Sequence, residues 1–565
     1  MVLPVLAVSF LAVLALAYRL YGNWVARQFA IDDSRLTPAH ELNDGVDYVP
    51  TRPFYLFGQH FSAIAAAGPI AGPILAAQYW GWGPSLLWIG FGVVLIGAVH
   101  DFSSLTASVR HQGRSVAEIT REHMGGGAGK AMLLFIWLVL IYVIIAFTQI
   151  TAGTFVSLTQ DLPGVPAGFN PGGAVAAASV FYLLLAVVMG MVQRYLSPPL
   201  WLLTAIFVPA ALASSWFGIY VSNVFIADAR TWGLLILAYC FVASMIPVWA
   251  LLQPRGYLGG FILYLALALG VIGMMFGGYE IQQPAFRGWD VGGATGTLFP
   301  FLFVTIACGA CSGFHGLVCS GTTSKQVDRE SHCQRVGYGA MLAEAFVALI
   351  AMVTIMIMTA DEVKGLSAGT IYGNGIGRFM TLLIGPENLA FAITFGAMAF
   401  STFVFDTLDV GTRLGRYIVQ ELFGWRSTAG MVAATLATIA LPAYVIATAG
   451  LGSYLNFWIL FGASNQLLAA LTLLAVTVWL SNAHKRFAFT LLPTVFILIM
   501  TLWALGTLTL ANFRSAQGLD TPFFNALASS AQILLAVYLT LTALSRLRRE
   551  PRSGVMVGAL GTASE

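Results

Sequence analysis

The chain has 565 residues, 58% hydrophobic and only 9% charged, with a formal net charge of +3. A soluble domain carries about 25% charged residues, so this much apolar surface cannot be hidden in a core surrounded by water. The small positive balance gives no footing for nucleic acid, and five cysteines without paired spacing give no disulfide framework.

A bilayer core needs roughly 20 apolar residues per helix, and the chain offers fifteen such stretches. The first, 2–21, has no basic residues before its apolar run and no small-residue cleavage site after it. It is expected to be a retained helix rather than a signal peptide. The second, 57–79, is interrupted: FGQHFSAIAAAGPIAGP carries Gln59, His60 and Ser62, then two Gly-Pro pairs. Proline removes a backbone donor and clashes with the preceding turn. The third, 84–107, contains adjacent His100 and Asp101 near its inner end, either a proton relay or a pair meeting the basic loop that holds Arg110 and Arg114. Spans follow at 131–157, 173–192 and 199–222. The GGGAGK at 125–130 lacks the Lys-Ser/Thr ending of a phosphate loop and is expected to be a turn. The seventh span, 232–252, is interrupted by SMIPVW (244–249), and the eighth covers 257–277.

The ninth span, 297–319, runs into ACGACSGFHGLVCSGTTSKQ (307–326). Cys308, Cys311, His315 and Cys319 share one helical face. On a continuous helix Cys308 and Cys319 are roughly 16 Å apart, whereas zinc holds its ligands at about 2.0–2.3 Å. Only a break at Gly313 or Gly316 brings three together, so Cys308, Cys311 and His315 are weak metal candidates and no metal is expected. Ser312, His315, Ser320, Thr322 and Thr323 can line a polar path, and hydroxyls are also sodium ligands. Glu344 lies within 336–359. In 388–410, Asp406 and Asp409 share a face, and Asp409 can pair with Arg413 four residues on. The remaining spans are 428–449, 456–479, 487–511 and 524–545. Asn456, Ser464, Asn465 and Gln466 form a polar patch expected to support the core from an outer helix.

Of the 27 Lys and Arg residues, 22 fall on one side of this span pattern and 5 on the other. The positive-inside rule then puts the N-terminus outside and the tail 546–565 in the cytoplasm. The outer loops 278–296 and 360–387 are Gly-rich and poor in charge. After the extra segment 1–56, spans 57–222 and 232–410 form two five-helix sets of opposite topology, each opening on an interrupted segment; further helices occupy 428–545. Paired broken helices in inverted halves point to a transport site at the bilayer midplane. There the freed backbone would face a cavity.

The segments DGVDYVPT (44–51), FGQHFSAIAAAGPIAGP (57–73), VHDF (99–102), IPVWALLQPRGYL (246–258), FDTLDVGTRLGRYIVQEL (405–422) and NFWILFGASNQLLAALTL (456–473), with the 307–326 run, resemble the carbon starvation protein A family. The resemblance covers most of 40–475; Cys311 and Cys319 depart from its pattern. It implies a bacterial inner-membrane transporter of the amino acid–polyamine–organocation superfamily, all-α, with a five-plus-five inverted-repeat (LeuT-like) core. Family members are named for peptide uptake under carbon limitation, and some carry pyruvate with protons.

The expected function is therefore gradient-driven symport of small peptides or a small carboxylate with H⁺ or Na⁺. The alternatives are a pyruvate–proton symporter and a membrane nutrient sensor. No enzyme activity, cofactor or nucleic-acid partner is expected, and the oligomeric state is not readable. Substrate is expected at Gln59, His60, Ser62, Gly68, Gly72, Ser244, Trp249, Gln253, Ser312 and His315. The coupling ion is expected at His100, Asp101, Ser320, Thr322, Thr323, Asp406 and Asp409.

Overall fold

The computed structural model describes residues 2–45, 47–65, 67–156, 165–293, 295–448 and 454–548. Of the predicted tail, residues from 549 on lie outside them. In chain order the longer helices are α1 (Val2–Phe29), α2 (Pro53–Ile64), α3 (Gly68–Trp80), α4 (Trp82–Arg110), α5 (Val116–Met124), α6 (Gly126–Phe155), α7 (Pro171–Leu196), α8 (Leu200–Tyr220), α9 (Ala229–Met245) and α10 (Leu252–Phe276). They continue with α11 (Leu298–Thr305), α12 (Gly313–Gly321), α13 (Gln334–Met356), α14 (Ala368–Ile384), α15 (Leu389–Phe423), α16 (Thr428–Thr448), α17 (Tyr454–Asn482), α18 (Ala488–Ser515) and α19 (Thr521–Leu547).

Among the described residues, twelve helices are long and apolar enough to cross a membrane. The other predicted spans hold the α2/α3 pair, bent by 46°, the 17-residue α9, and α11 and α12 with a non-helical stretch between them. Large apolar side chains stay exposed along the outer helices, for example Leu534 and Leu541 on α19, which suits lipid rather than water. The chain is an all-α, multi-pass membrane protein.

Helices α6, α9, α15 and α16 each touch the other three. A second group joins α2, α3, α4, α11, α12 and α13, with α3 lying along α13 and α12 along α4. Between the groups run α10, against α13, α14 and α15, and α17, against α4, α6, α11 and α12. The most apolar stretch of α17 is wholly buried, so Ser464, Asn465 and Gln466 act from the centre of the molecule, not from an outer helix, while Asn456 at its start is exposed.

Two further expectations change. The predicted outer loop 360–387 contains α14, capped by Ser367, whose hydroxyl accepts the Thr370 N–H at 3.2 Å. Its glycines read as loop signals, but Gly369, Gly373 and Gly377 stand four apart and face Phe400, Ala397 and Ile393 of α15. Small residues at this spacing let two helices approach closely. The SMIPVW segment is a helix end rather than a mid-span interruption. Pro247 cannot continue α9, and the last carbonyls are satisfied from α15. Arg413 donates to the Ala243 and Ile246 carbonyls at 2.7 Å, and Arg416 donates to the Ser244 carbonyl at 2.6 Å. The second interrupted helix is instead α11/α12, broken over 306–312.

Candidate functional site

At the first break, the backbone of Ala65 leaves the helical region (φ −74°, ψ 42°). Helix α3 restarts at Gly68 with Pro69 in its first turn, where the missing N–H has no intrahelical partner to lose. Gly68 packs on Cys308, and a Cβ at Gly72 would lie 2.7 Å from the Thr305 carbonyl oxygen. Gly68 is therefore packed by the 306–312 stretch and Gly72 by the end of α11.

The second break is filled as well. Trp458 donates to the Thr305 carbonyl at 3.0 Å, Gln466 to Phe303 at 2.9 Å, and Trp88 to Ile306 at 3.3 Å. Asn465 accepts the Phe314 N–H at 2.9 Å and donates to Ser312 Oγ at 3.0 Å. Non-helical backbone at membrane depth requires such partners or a water-lined cavity. The expected second open break at 244–249 is a helix end, and at the break that does occur, side chains take the Phe303, Thr305 and Ile306 carbonyls at its edge and the Ser312 hydroxyl.

A narrow cleft of about 10 Å³ lies beside the first break, lined by Ser62, Tyr182, Arg255, Gly259, Thr402, Phe403 and Asp406. Arg255, on α10, is buried at 1% exposure. Its guanidinium bonds Asp406 through Nη2, and Nη1 lies 2.7 Å from Asp409 Oδ2. Tyr239 donates to that same Asp409 oxygen at 2.7 Å, and Tyr182 donates to the Arg255 carbonyl at 2.7 Å. Asp409 is fully buried, whereas the Asp406 side chain keeps 34% exposure, at the cleft. The expected Asp409–Arg413 pair is absent because Arg413 caps α9. Removing Arg255 and Asp409 from water costs several kcal/mol per ion, so one cation with two carboxylates, one of them still wet, is a functional candidate rather than a stabilising device.

The second cluster is sealed inside the α4–α12–α13 group. Asp101 Oδ1 lies 2.8 Å from His100 Nδ1, and Oδ2 lies 2.9 Å from His315 Nδ1. His315 Nε2 lies 3.4 Å from Glu344 Oε2. His60 Nδ1 lies 2.9 Å from Thr323 Oγ1, and its Nε2 lies 4.0 Å from Cys319 Sγ. Adjacent His100 and Asp101 do meet, because the imidazole folds back onto the carboxylate. The chain of imidazoles and carboxylates can hold and pass protons within the group.

The remaining candidates are scattered. Gln59, Gln253 and Thr322 are exposed. Trp249 sits under Arg194, 5.7 Å from the ring centre, away from the cleft residues. Ser244 gives its carbonyl to Arg416, and the Ser320 hydroxyl bonds its own helix at Gly316 O, 2.7 Å. Cys308, Cys311 and His315 do not form a ligand group; the one such group among the described residues is His111, Glu122 and His123. Sequence reasoning missed Arg255 and Tyr239 and gave Glu344 no role. The signal for Arg255 was a lone cation, QPRGYL, at the mouth of a predicted span.

A multi-pass helical protein with one broken helix beside a charged cleft has the build of a membrane carrier. The chain belongs to the carbon starvation protein CstA family, whose model matches residues 1–374 and 367–504. It is 32% identical to the peptide transporter CstA of Campylobacter jejuni, over 88% of this chain and 79% of that one. It is equally 32% identical to the pyruvate/proton symporter BtsT of Escherichia coli, over 89% and 81%. Among solved structures, a mutant of the Eremococcus coleocola manganese transporter aligns with 92% of this chain and 99% of its own, at 14% identity and a TM-score of 0.44.

Proposed function

We propose that the protein is a secondary active symporter of the bacterial inner membrane that imports a small carboxylate-bearing nutrient, a short peptide or pyruvate, with protons. The observation that carries this reading is Arg255: a buried guanidinium with one carboxylate locked beside it and another, Asp406, lining a cleft. Guanidinium matches a carboxylate in a planar, two-point geometry. An incoming substrate carboxylate takes the place of Asp406 on Arg255. The displaced Asp406 then accepts a proton, so substrate and proton enter together and the cluster keeps its charge. The cleft has about 10 Å³ in this conformation, room for a single water, so a solute fits only after the helix groups part. The names of the relatives, peptide transporter and pyruvate/proton symporter, support both substrate classes.

The packing supports a revised pair of repeats. The first is α2/α3, α4, α6, α9 and α10, with α7 and α8 inserted; the second is α11/α12, α13, α15, α16 and α17. Each opens on a broken helix, and the basic-residue asymmetry gives them opposite topology. The third and fourth helices of both repeats make the mutually touching set, against which the group holding both broken helices rocks.

The test is uptake by proteoliposomes of labelled pyruvate and labelled dialanine, under a proton gradient or a sodium gradient. Accumulation of either solute with protons is the expected result. Accumulation driven by sodium alone removes the proton role, and no accumulation of either removes the carboxylate assignment.

A further inference from the structure

One cluster of ligating side chains lies apart from the cleft and from the sealed proton network. His111 follows the last turn of α4, and Glu122 and His123 sit in the last turn of α5. The link is a tight reversal: Gln112 and Gly113 both take positive φ, 57° and 74°. Ser115 and Glu118 then close a capping box that starts α5. The reversal returns the end of α5 to His111, where the imidazole Nε2 atoms of His111 and His123 stand 2.8 Å apart and Glu122 Oε1 lies 4.0 Å from His111 Nε2.

We propose that His111, His123 and Glu122 form a binding site for one divalent transition-metal ion of the zinc class, on the face the basic-residue asymmetry assigns to the cytoplasm. The three ligand atoms all lie within 4.8 Å of one another. Two imidazoles and a carboxylate, with a fourth position for water, is an open zinc ligand set. Tetrahedral Zn–N bonds of about 2.0–2.1 Å place two nitrogens about 3.3 Å apart, so the rings need to part by about half an ångström.

The outer partners are also in place. His111 Nδ1 donates to the Ala107 carbonyl at 2.6 Å, which leaves the Nε2 lone pair free to ligate, as metal-bound imidazoles require. Asn482, at the end of α17, lies 3.5 Å from His123 Nδ1. Arg114 holds the second Glu122 oxygen at 2.9 Å. The His111 ring packs edge-on against Trp479 at 5.3 Å. His111 is buried, His123 half-buried and Glu122 exposed, so the ion has a path from water. Without metal, His123 donates its Nε2 proton to His111 Nε2 and its Nδ1 faces the Asn482 amide nitrogen; with metal on both Nε2 atoms, His123 carries its proton at Nδ1 and the Asn482 amide turns over to accept it through its oxygen. The ion would tie α5 to the end of α4, the helix that carries His100 and Asp101.

The full chain, purified in detergent and stripped with chelator, is titrated with Zn²⁺, and bound metal per chain is measured after gel filtration; Co²⁺ is titrated in parallel and followed by its visible absorption. The expected result is one ion per chain and a cobalt spectrum of nitrogen and oxygen ligation. His123→Ala abolishes binding. Glu122→Gln, at an exposed position that folding does not need, weakens it about tenfold or more. Substoichiometric metal in the wild type, or equal affinity in the wild type and Glu122→Gln, overturns the site and leaves a histidine–histidine hydrogen bond. Thiolate absorption with cobalt assigns the metal to cysteine and overturns it too.

Discussion

Arg255 carries two different relationships. To Asp409 it is a buried ion pair, completed by the Tyr239 hydroxyl. To Asp406 it is a pair at the wall of a cleft. Breaking a buried pair by removing one partner costs about 3–5 kcal/mol, because the other charge is left uncompensated. Arg255→Met is therefore expected to lower the unfolding temperature in detergent sharply. Asp409→Asn should lower it more than Asp406→Asn, since water reaches the Asp406 side; equal shifts would mean that the two carboxylates share one environment. His100, Asp101 and His315 were legible in the sequence because ionisable groups in apolar spans stand out. Arg255 was not, because it sits where the span meets the cytoplasmic side and was counted with the other basic residues there. Its burial depends on α15, about 150 residues away in the chain.

At the scale of elements, the interrupted helices differ in what satisfies them. The α11/α12 break is closed largely by α17: Trp458 and Gln466 take the Thr305 and Phe303 carbonyls, and Asn465 meets Cys308, Ser312 and Phe314. Asn465→Leu strips the partner from the part-buried Phe314 N–H and the buried Ser312 hydroxyl. Each unmet buried group costs about 1–3 kcal/mol, so this variant should lose several degrees in thermal unfolding. Gly72→Ala tests the other break: the new methyl meets the Thr305 carbonyl at 2.7 Å, and such overpacking costs about 1–3 kcal/mol. An unfolding temperature equal to wild type in Gly72→Ala would mean that α3 and α11 are not in close contact. Hydrophobic length located the spans, and Gly-Pro located the first break. The second misplaced itself in the sequence because Pro247 reads as a stronger breaker than a run of small residues. Only tertiary contacts tell a helix end from an interruption, and only the i, i+4 spacing of its glycines distinguishes α14 from a loop.

For the whole molecule, the alternation of basic residues predicts which loops face the cytoplasm. The five native cysteines are all buried, so an introduced exposed cysteine reports its own side. Ser197→Cys, between α7 and α8, should react with an impermeant maleimide only in inside-out vesicles, and Gln517→Cys, between α18 and α19, only in right-side-out cells. The reverse pattern would invert the topology. Two packed groups are joined by α10 and α17; in the proposed mechanism one rocks against the other at the Arg255 cleft, and coupling rests on Asp406 trading its guanidinium for a proton as the substrate carboxylate arrives. The most direct measurement is made on Asp406→Asn in proteoliposomes, comparing proton-driven accumulation of labelled pyruvate and dialanine with gradient-free counterflow of the same solutes. The account predicts that counterflow persists while accumulation is lost; accumulation at the wild-type level in this variant would contradict it.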